Sequence, residues 1–180
     1  MSYPWKTEDD LAALPDNDMR HELIAGVIVE EPLPMALHDR VRRRLERALH
    51  EFVEPRQLGE VFGEAGYLLA RNPDTVRGPD LSFVIAERLV DFDDTRFFRG
   101  APDLAIEILS PSNHAGQVKA KVTDYLKTGC RLVWVVDPKH KVATVYRRVD
   151  DPRRIGAGGS LTGEDLLPGL TIPLKSILPR

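Results

Sequence analysis

Apolar residues recur at helical spacing in two long stretches of the chain. From Leu37 they follow one another at intervals of three and four, which predicts an amphipathic helix that ends before Pro55. A second apolar stripe over residues 114–128 predicts another helix. Thr7, followed by acidic residues, predicts a short capped helix that Pro15 ends.

Short apolar runs between turn residues predict the strands. A hairpin is expected around Ala25 and Gly26, and a second hairpin within residues 59–70. Further strands are expected at residues 80–86, 103–109, 132–136 and 142–146. The last hydrophobic stretch of the tail predicts an edge element. Strands on both sides of a helix in the sequence indicate an α/β or α+β fold, with a mixed sheet flanked by helices.

Length and composition are those of one globular domain. The chain has 180 residues and a mass of 20.2 kDa, with 42% hydrophobic and 29% charged residues. We expect a single domain over residues 1–180, with residues 1–19 as an N-terminal helical appendage and residues 150–180 as a C-terminal edge segment. The lone cysteine, Cys130, excludes an intrachain disulfide and a zinc site with several thiolates.

The sequence contains no candidate membrane segment. Its longest apolar run, Leu132 to Val136, is too short to span a bilayer, and the N-terminus lacks the features of a signal peptide. These observations predict a cytoplasmic protein. The net charge of −3 means that a nucleic-acid partner would need a local basic patch.

Two predicted strands carry an acid on the face opposite their bulky residues. Asp80 alternates with Leu81 and Phe83, and Glu107 alternates with Ile106 and Ile108. An ionised carboxylate in such an apolar context is costly to bury unless a cation or a hydrogen-bond donor meets it.

If these strands are neighbours, the two carboxylates repel each other and favour a cation between them. Carboxylate ligands suit Mg²⁺ or Mn²⁺, and the cysteine and histidine content offers no competing zinc site. The alternative is structural, with Glu107 paired to an arginine or capping a backbone group.

Several segments together resemble a known family. They are the RGPD sequence that ends at Asp80, residues 100–112, residues 121–125 and residues 129–138. With His21 and His38 they are similar to the Uma-type (Uma-two) restriction endonuclease family, over about residues 20–172. The resemblance implies the restriction-endonuclease-like fold of the PD-(D/E)XK nuclease superfamily.

The resemblance also implies roles for individual residues. Asp80 and Glu107 match the metal ligands, and Glu22 is similar to an additional acid that can complete the metal shell. The superfamily usually has a lysine two residues after the second acid, where this chain has Leu109. In this family the lysine is expected on the following helix, where Lys121 matches.

The basic residues allow both functional and structural interpretations. Lys121 lies at the border of its helix's apolar stripe, as does its rival Lys119, and either can instead be a solvated surface charge. A row of arginines on the first long helix can contact the phosphates of a nucleic acid. It can also belong to a solvated helix face with Arg42–Glu46 and Arg47–Glu51 ion pairs, and we prefer this second interpretation. The row consists of Arg40, Arg44 and Arg47. His38 is expected at the surface.

These observations predict a metal-dependent endonuclease that uses Mg²⁺ or Mn²⁺ to hydrolyse phosphodiester bonds in DNA, and a homodimer. A weaker possibility is that the metal site hydrolyses another phosphoester. The main alternative is a non-catalytic binding or oligomer module that keeps the fold. Leu109 supports that alternative, as does Gln117, which stands where the family often has an aspartate.

Overall fold

A computed structural model describes residues 5–15, 19–111 and 113–179. The helices of the described chain are α1 (Glu8–Ala12), α2 (Ala36–Val53), α3 (Ala115–Lys127) and α4 (Leu174–Ile177). The sequence predicted the first three, including the Thr7 cap, whose hydroxyl accepts from the Asp10 N–H. None of the described helices has the length and apolarity needed to cross a membrane.

Thirteen strands occur in the described part of the chain. They are β1 (Arg20–Ile24), β2 (Val27–Glu31), β3 (Gly59–Gly63), β4 (Tyr67–Ala70), β5 (Thr75–Arg77), β6 (Leu81–Ile85), β7 (Phe98–Arg99), β8 (Leu104–Ile108), β9 (Leu132–Asp137), β10 (Val142–Tyr146), β11 (Pro152–Ile155), β12 (Ser160–Thr162) and β13 (Thr171–Pro173). They form three sheets, where the sequence predicted one mixed sheet, and the predicted α+β architecture with helices that flank a mixed sheet is confirmed.

The central sheet has six strands in the order β11-β10-β9-β8-β6-β3. β8 and β9 are parallel, and the other neighbours are antiparallel. One face packs against the apolar stripe of α2, from Val41 to Val53, and against the C-terminal segment. The other face packs against α3 through Ala105, Val122 and Tyr125. The central strands are therefore covered on both faces, which explains the continuous apolar run in β9.

A second sheet, with the order β2-β1-β5-β4-β7, packs beside α3. It meets the central sheet where the hydroxyls of Tyr67 and Ser82 hydrogen-bond at 2.7 Å. The predicted hairpin within residues 59–70 is wrong, because β3 pairs with β6 while β4 pairs with β5 and β7. The chain changes sheets between the two strands, and the partners of both come later in the sequence.

The tail contributes more to the core than an edge element would. Of the three strands that the structure describes in the tail, only β11 lies at an edge of the central sheet. β12 and β13 form a separate two-stranded sheet, and apolar residues from Leu161 to Leu178 join the core beneath α2. Arg44 holds this segment against α2, because its guanidinium donates hydrogen bonds to the carbonyls of Ile177 and Leu178 at 3.2 and 2.9 Å.

We predict that Arg44→Met lowers the free energy of unfolding by about 1–2 kcal/mol, because two carbonyls lose a charged donor. Arg47→Met is the control on the same helix, since Arg47 is exposed and its side chain forms no hydrogen bond or ion pair with the C-terminal segment in the described chain. Urea unfolding followed by circular dichroism measures both. Equal stability of the two variants would contradict a role for Arg44 in holding the tail.

Candidate functional site

Two neighbouring strands bring Asp80 and Glu107 together. β6 and β8 pair with Leu81 opposite Ile106, so Asp80, just before β6, lies across from Glu107. The N–H of Ile108 donates to Asp80 Oδ2 at 2.7 Å, which holds the carboxylate against β8. Because Leu81 and Ile106 face α2, the alternation of side chains turns both acids to the opposite face.

Both carboxylates line a cavity of about 230 Å³. Its walls come from β1 and β2, the start of α2, the loop after β8 and the middle of α3. The charged or ionisable side chains in this lining are Arg20, Glu31, His38, Arg77, Asp80, Glu107 and Lys121. Three of the site residues predicted from the sequence, Asp80, Glu107 and Lys121, therefore line this cavity. The fourth, Glu22, lies beside the cavity and contacts Lys121.

Lys121 projects from α3 and is shared by three carboxylates. Its Nζ lies 3.1 Å from Glu22 Oε1 and 3.5 Å from both Glu31 Oε1 and Glu107 Oε2. Burial lowers the pKa of Lys121, but the three acids outweigh this effect and hold the pKa above its ordinary value. The rival Lys119 is exposed, so only Lys121 presents its ammonium to the site.

Glu107 is the least compensated acid of the site. Tyr125 donates its hydroxyl to Glu107 Oε1 at 2.8 Å, while Oε2 has Lys121 at 3.5 Å. Burial, together with the nearby charges of Asp80 and Glu22, raises the pKa of Glu107 to about 7 against the opposing effects of Lys121 and Arg20. Three acids and three permanent cations line the cavity, but the one cation of the described chain in contact with Glu107, Lys121, is shared with other carboxylates.

Asp80 is held ionised by its neighbours. Burial raises its pKa, but contacts with His38, Arg20 and the Ile108 N–H outweigh this and lower the pKa to about 2. Arg20 donates to Oδ1 at 2.8 Å, and His38 Nε2 lies 3.1 Å from Oδ2. The prediction that His38 is a surface residue is wrong, because the first turn of α2 lies over the site and only 6% of His38 is exposed.

Glu22 is engaged by cations on both of its oxygens. Oε2 accepts from Arg77 at 2.8 Å, and Oε1 accepts from the Gly78 N–H at 3.1 Å and contacts Lys121. Arg77 also donates to Asp124 Oδ2, which fixes its guanidinium between two acids. Burial raises the pKa of Glu22, but Lys121 and Arg77 outweigh it and lower the pKa.

The three arginines of the row on α2 have different roles in the structure. Arg44 is used to hold the C-terminal segment, whereas Arg40 and Arg47 are exposed. None of the three lines the cavity. The predicted Arg42–Glu46 pair forms at 3.3 Å, while Arg47 makes no ion pair with Glu51 within the described residues.

The donor set fits a divalent cation of the kind that needs few protein ligands. Over residues 5–15, 19–111 and 113–179, no group of three or more His, Cys, Asp or Glu side chains is placed so that together they could hold a metal ion. Mg²⁺ is often bound by one or two carboxylates together with water and substrate phosphates. Asp80 and Glu107 meet that requirement, since each carboxylate oxygen has two lone pairs and Glu107 Oε2 keeps most of its acceptor capacity.

Sequence reasoning missed several residues of this cavity, chiefly Arg20, Glu31 and Arg77. Arg20 pairs across the hairpin with Glu31 and alternates with Glu22, so all three share one face of the sheet. The alternation of side chains along β1 and the tight turn at Ala25 could have predicted this shared face from the sequence. The position of Arg77 against Asp124 had no such signal, because 47 positions separate them.

We predict that Glu107→Gln stabilises the metal-free protein at pH 8. An acid whose pKa rises on folding costs stability as the pH rises from about 4.5, its unfolded value, to about 7. The neutral amide avoids this cost and still accepts from Tyr125. We expect a gain of about 2–3 kcal/mol at pH 8 and almost none near pH 4.5.

Urea unfolding in EDTA at both pH values measures this effect. Glu60→Gln serves as control, because Glu60 is an exposed acid on β3. A Glu107→Gln protein that is less stable than wild type at pH 8 would show that Glu107 is a structural ion-pair partner.

Comparison with known proteins confirms the resemblance that the sequence indicated. A family model described as "Uma2: Putative restriction endonuclease" matches residues 8–175. The chain also resembles a protein from Anabaena variabilis ATCC 29413, described as "a putative nuclease belonging to DUF820", with a TM-score of 0.82 and 24% identity over 95% of this chain and 96% of that one. That likeness shows the shared fold. No curated protein matches. Because the family model spans nearly all of the sequence, the chain belongs to the Uma2 family of restriction endonuclease-like proteins.

Proposed function

We propose that this protein is a divalent-metal-dependent endonuclease that hydrolyses phosphodiester bonds in DNA. One observation carries the proposal: the buried Glu107 carboxylate is under-compensated and faces the same cavity as Asp80. The family supports the reaction class, since its description is that of a restriction endonuclease.

Asp80 and Glu107 are the proposed ligands of Mg²⁺ or Mn²⁺. When bound, the cation supplies positive charge against the scissile phosphate and activates water for attack. The backbone of β8 and the imidazole of His38 fix Asp80, so its carboxylate needs little reorganisation. Glu22 was expected as a third ligand, but unlike Asp80 it does not line the cavity, and its two oxygens are paired with two cations, Arg77 and Lys121. We assign it the role of holding Lys121.

Lys121 is the proposed electrostatic partner of the reacting phosphate. Glu22 and Glu31 hold its ammonium in the cavity, where it can offset the negative charge that develops on the phosphate oxygens. Arg20 adds a second cation, since a guanidinium that faces the cavity can pair with a phosphate as well as with Asp80.

A non-catalytic module with the same fold is the second candidate. Leu109 lies in the cavity wall at the position of the usual superfamily lysine, and Gln117 accepts a hydrogen bond from the His114 N–H. The two candidates differ in what they require of the acids: a module needs no metal, whereas the nuclease cannot act without one. A homodimer, which would place two sites on the two strands of a duplex, belongs to the nuclease proposal.

We predict that the wild-type protein nicks supercoiled plasmid with Mg²⁺ or Mn²⁺ and that Glu107→Gln reduces the rate about 100-fold or more, because the cation loses a ligand. Lys121→Met should reduce it about 100- to 1000-fold through lost electrostatic stabilisation. Agarose gel electrophoresis of time courses measures the rates.

Two matched controls test whether these losses are specific. Glu60→Gln removes an exposed acid, and Lys119→Met removes an exposed lysine from the same helix as Lys121. Both should cleave at the wild-type rate. Undiminished cleavage by Glu107→Gln, or no cleavage by wild type with either metal, would count against the nuclease and for the non-catalytic module.

A further inference from the structure

We propose that a second cavity beside the site binds the nucleotide that flanks the scissile phosphate. This inference rests on the proposed function and names where the DNA strand continues. The cavity measures about 310 Å³ and lies between the start of α2, the loop after β8 and the turn between β9 and β10. It is lined by Met35, Leu37, His38, Leu109, Ser110, Pro111, Asn113, Asp137, Lys139 and His140.

The second cavity adjoins the first. His38, Leu109, Ser110 and Asn113 line both cavities, so they are separated by the width of these side chains. A DNA strand whose phosphate lies between Asp80 and Lys121 extends one nucleotide beyond that wall. The neighbouring nucleotide is therefore the occupant that the geometry favours.

The lining has the two kinds of surface that a nucleotide requires. Met35 and Leu37 are large apolar residues that remain exposed, 64% and 39% respectively, and with Pro111 they form a wall against which a base or sugar can pack. The volume of the second cavity, about 310 Å³, is at the lower end of the range for pockets that bind small ligands.

Lys139 supplies a cation at the rim of this cavity. It is exposed and forms no ion pair among the residues that the structure describes. The neighbouring acid, Asp137, is already engaged, because both of its oxygens contact His140 at 3.0 and 2.7 Å. Lys139 is thus available for a phosphate, and unpaired cations supply most of the non-specific affinity for DNA.

His38 gives an independent indication of a ligand. Its Nε2 is used by Asp80, whose Oδ2 lies 3.1 Å away, which leaves Nδ1 for another partner. Nδ1 is buried and has no hydrogen-bond partner in the described part of the chain. The imidazole lies in the wall that both cavities share, where a polar group of a base could pair with it.

The test measures binding of a fluorescein-labelled 20-base-pair duplex by fluorescence anisotropy in EDTA, where no cleavage occurs. Lys139→Gln is compared with Lys141→Gln, because Lys141 is an exposed lysine of the same turn that lines neither cavity. Met35→Glu is compared with Leu33→Glu, since Leu33 is exposed to 67% but lines neither cavity. All four positions are exposed, so the fold should tolerate each change.

We expect Lys139→Gln to weaken binding severalfold more than Lys141→Gln and to reduce the slope of log affinity against log salt by about 0.9, which corresponds to one phosphate contact. Met35→Glu should weaken binding severalfold more than Leu33→Glu. Equal effects within each pair would overturn the nucleotide site, even if plasmid cleavage confirms the nuclease. Duplex binding that changes as expected in a protein that never cleaves would refute the nuclease alone. No duplex binding by wild type would refute the DNA substrate and this site together.

Discussion

One lysine ammonium shared by two buried carboxylates and a half-buried one is the interaction on which the site depends. Lys121 can neutralise only one of Glu22, Glu31 and Glu107, and Arg77 satisfies only Glu22 in addition. Glu107 is left with a tyrosine hydroxyl and a distant ammonium. A fold that needed Glu107 only for stability would give it a cation of its own, because a buried charge that shares its one cation with other acids is costly. The cost is understandable if a divalent cation completes the charge balance.

The fold places the Glu107 carboxylate where it can be used. The side of the central sheet that faces α2 is entirely apolar around Leu81 and Ile106, so the two acids have no other face on which to lie. β1 and β2 bring Glu22 and Glu31 over them, and α3 brings Lys121 from the third side. The cavity thus combines rigid elements with charged side chains that are fixed by hydrogen bonds. Such preorganisation is what electrostatic catalysis requires.

The extent to which sequence predicted this arrangement follows from the range of the interactions. Local hydrophobic periodicity was enough to predict α2 and α3. It was also enough to predict that Glu107 lies on the opposite face of its strand from Ile106 and Ile108. It failed for the pairing of β3 and β4, whose partners lie in different sheets. It also failed for His38, because the packing of the first turn of α2 over Asp80 depends on contacts between distant segments. The roles of the acids came from a family resemblance, and they stay predictions.

The most direct measurement of the central claim is a calorimetric titration of Mn²⁺ into metal-free protein at pH 6, in buffers with different ionisation enthalpies. The account predicts one site in wild type whose binding releases close to one proton, because the pKa of Glu107 is about 7 before the cation binds. It also predicts that Glu107→Gln binds Mn²⁺ much more weakly and releases no proton. Wild-type protein that ignores millimolar Mn²⁺, or a Glu107→Gln variant that binds it equally well, would contradict the claim that this carboxylate is kept for a metal ion.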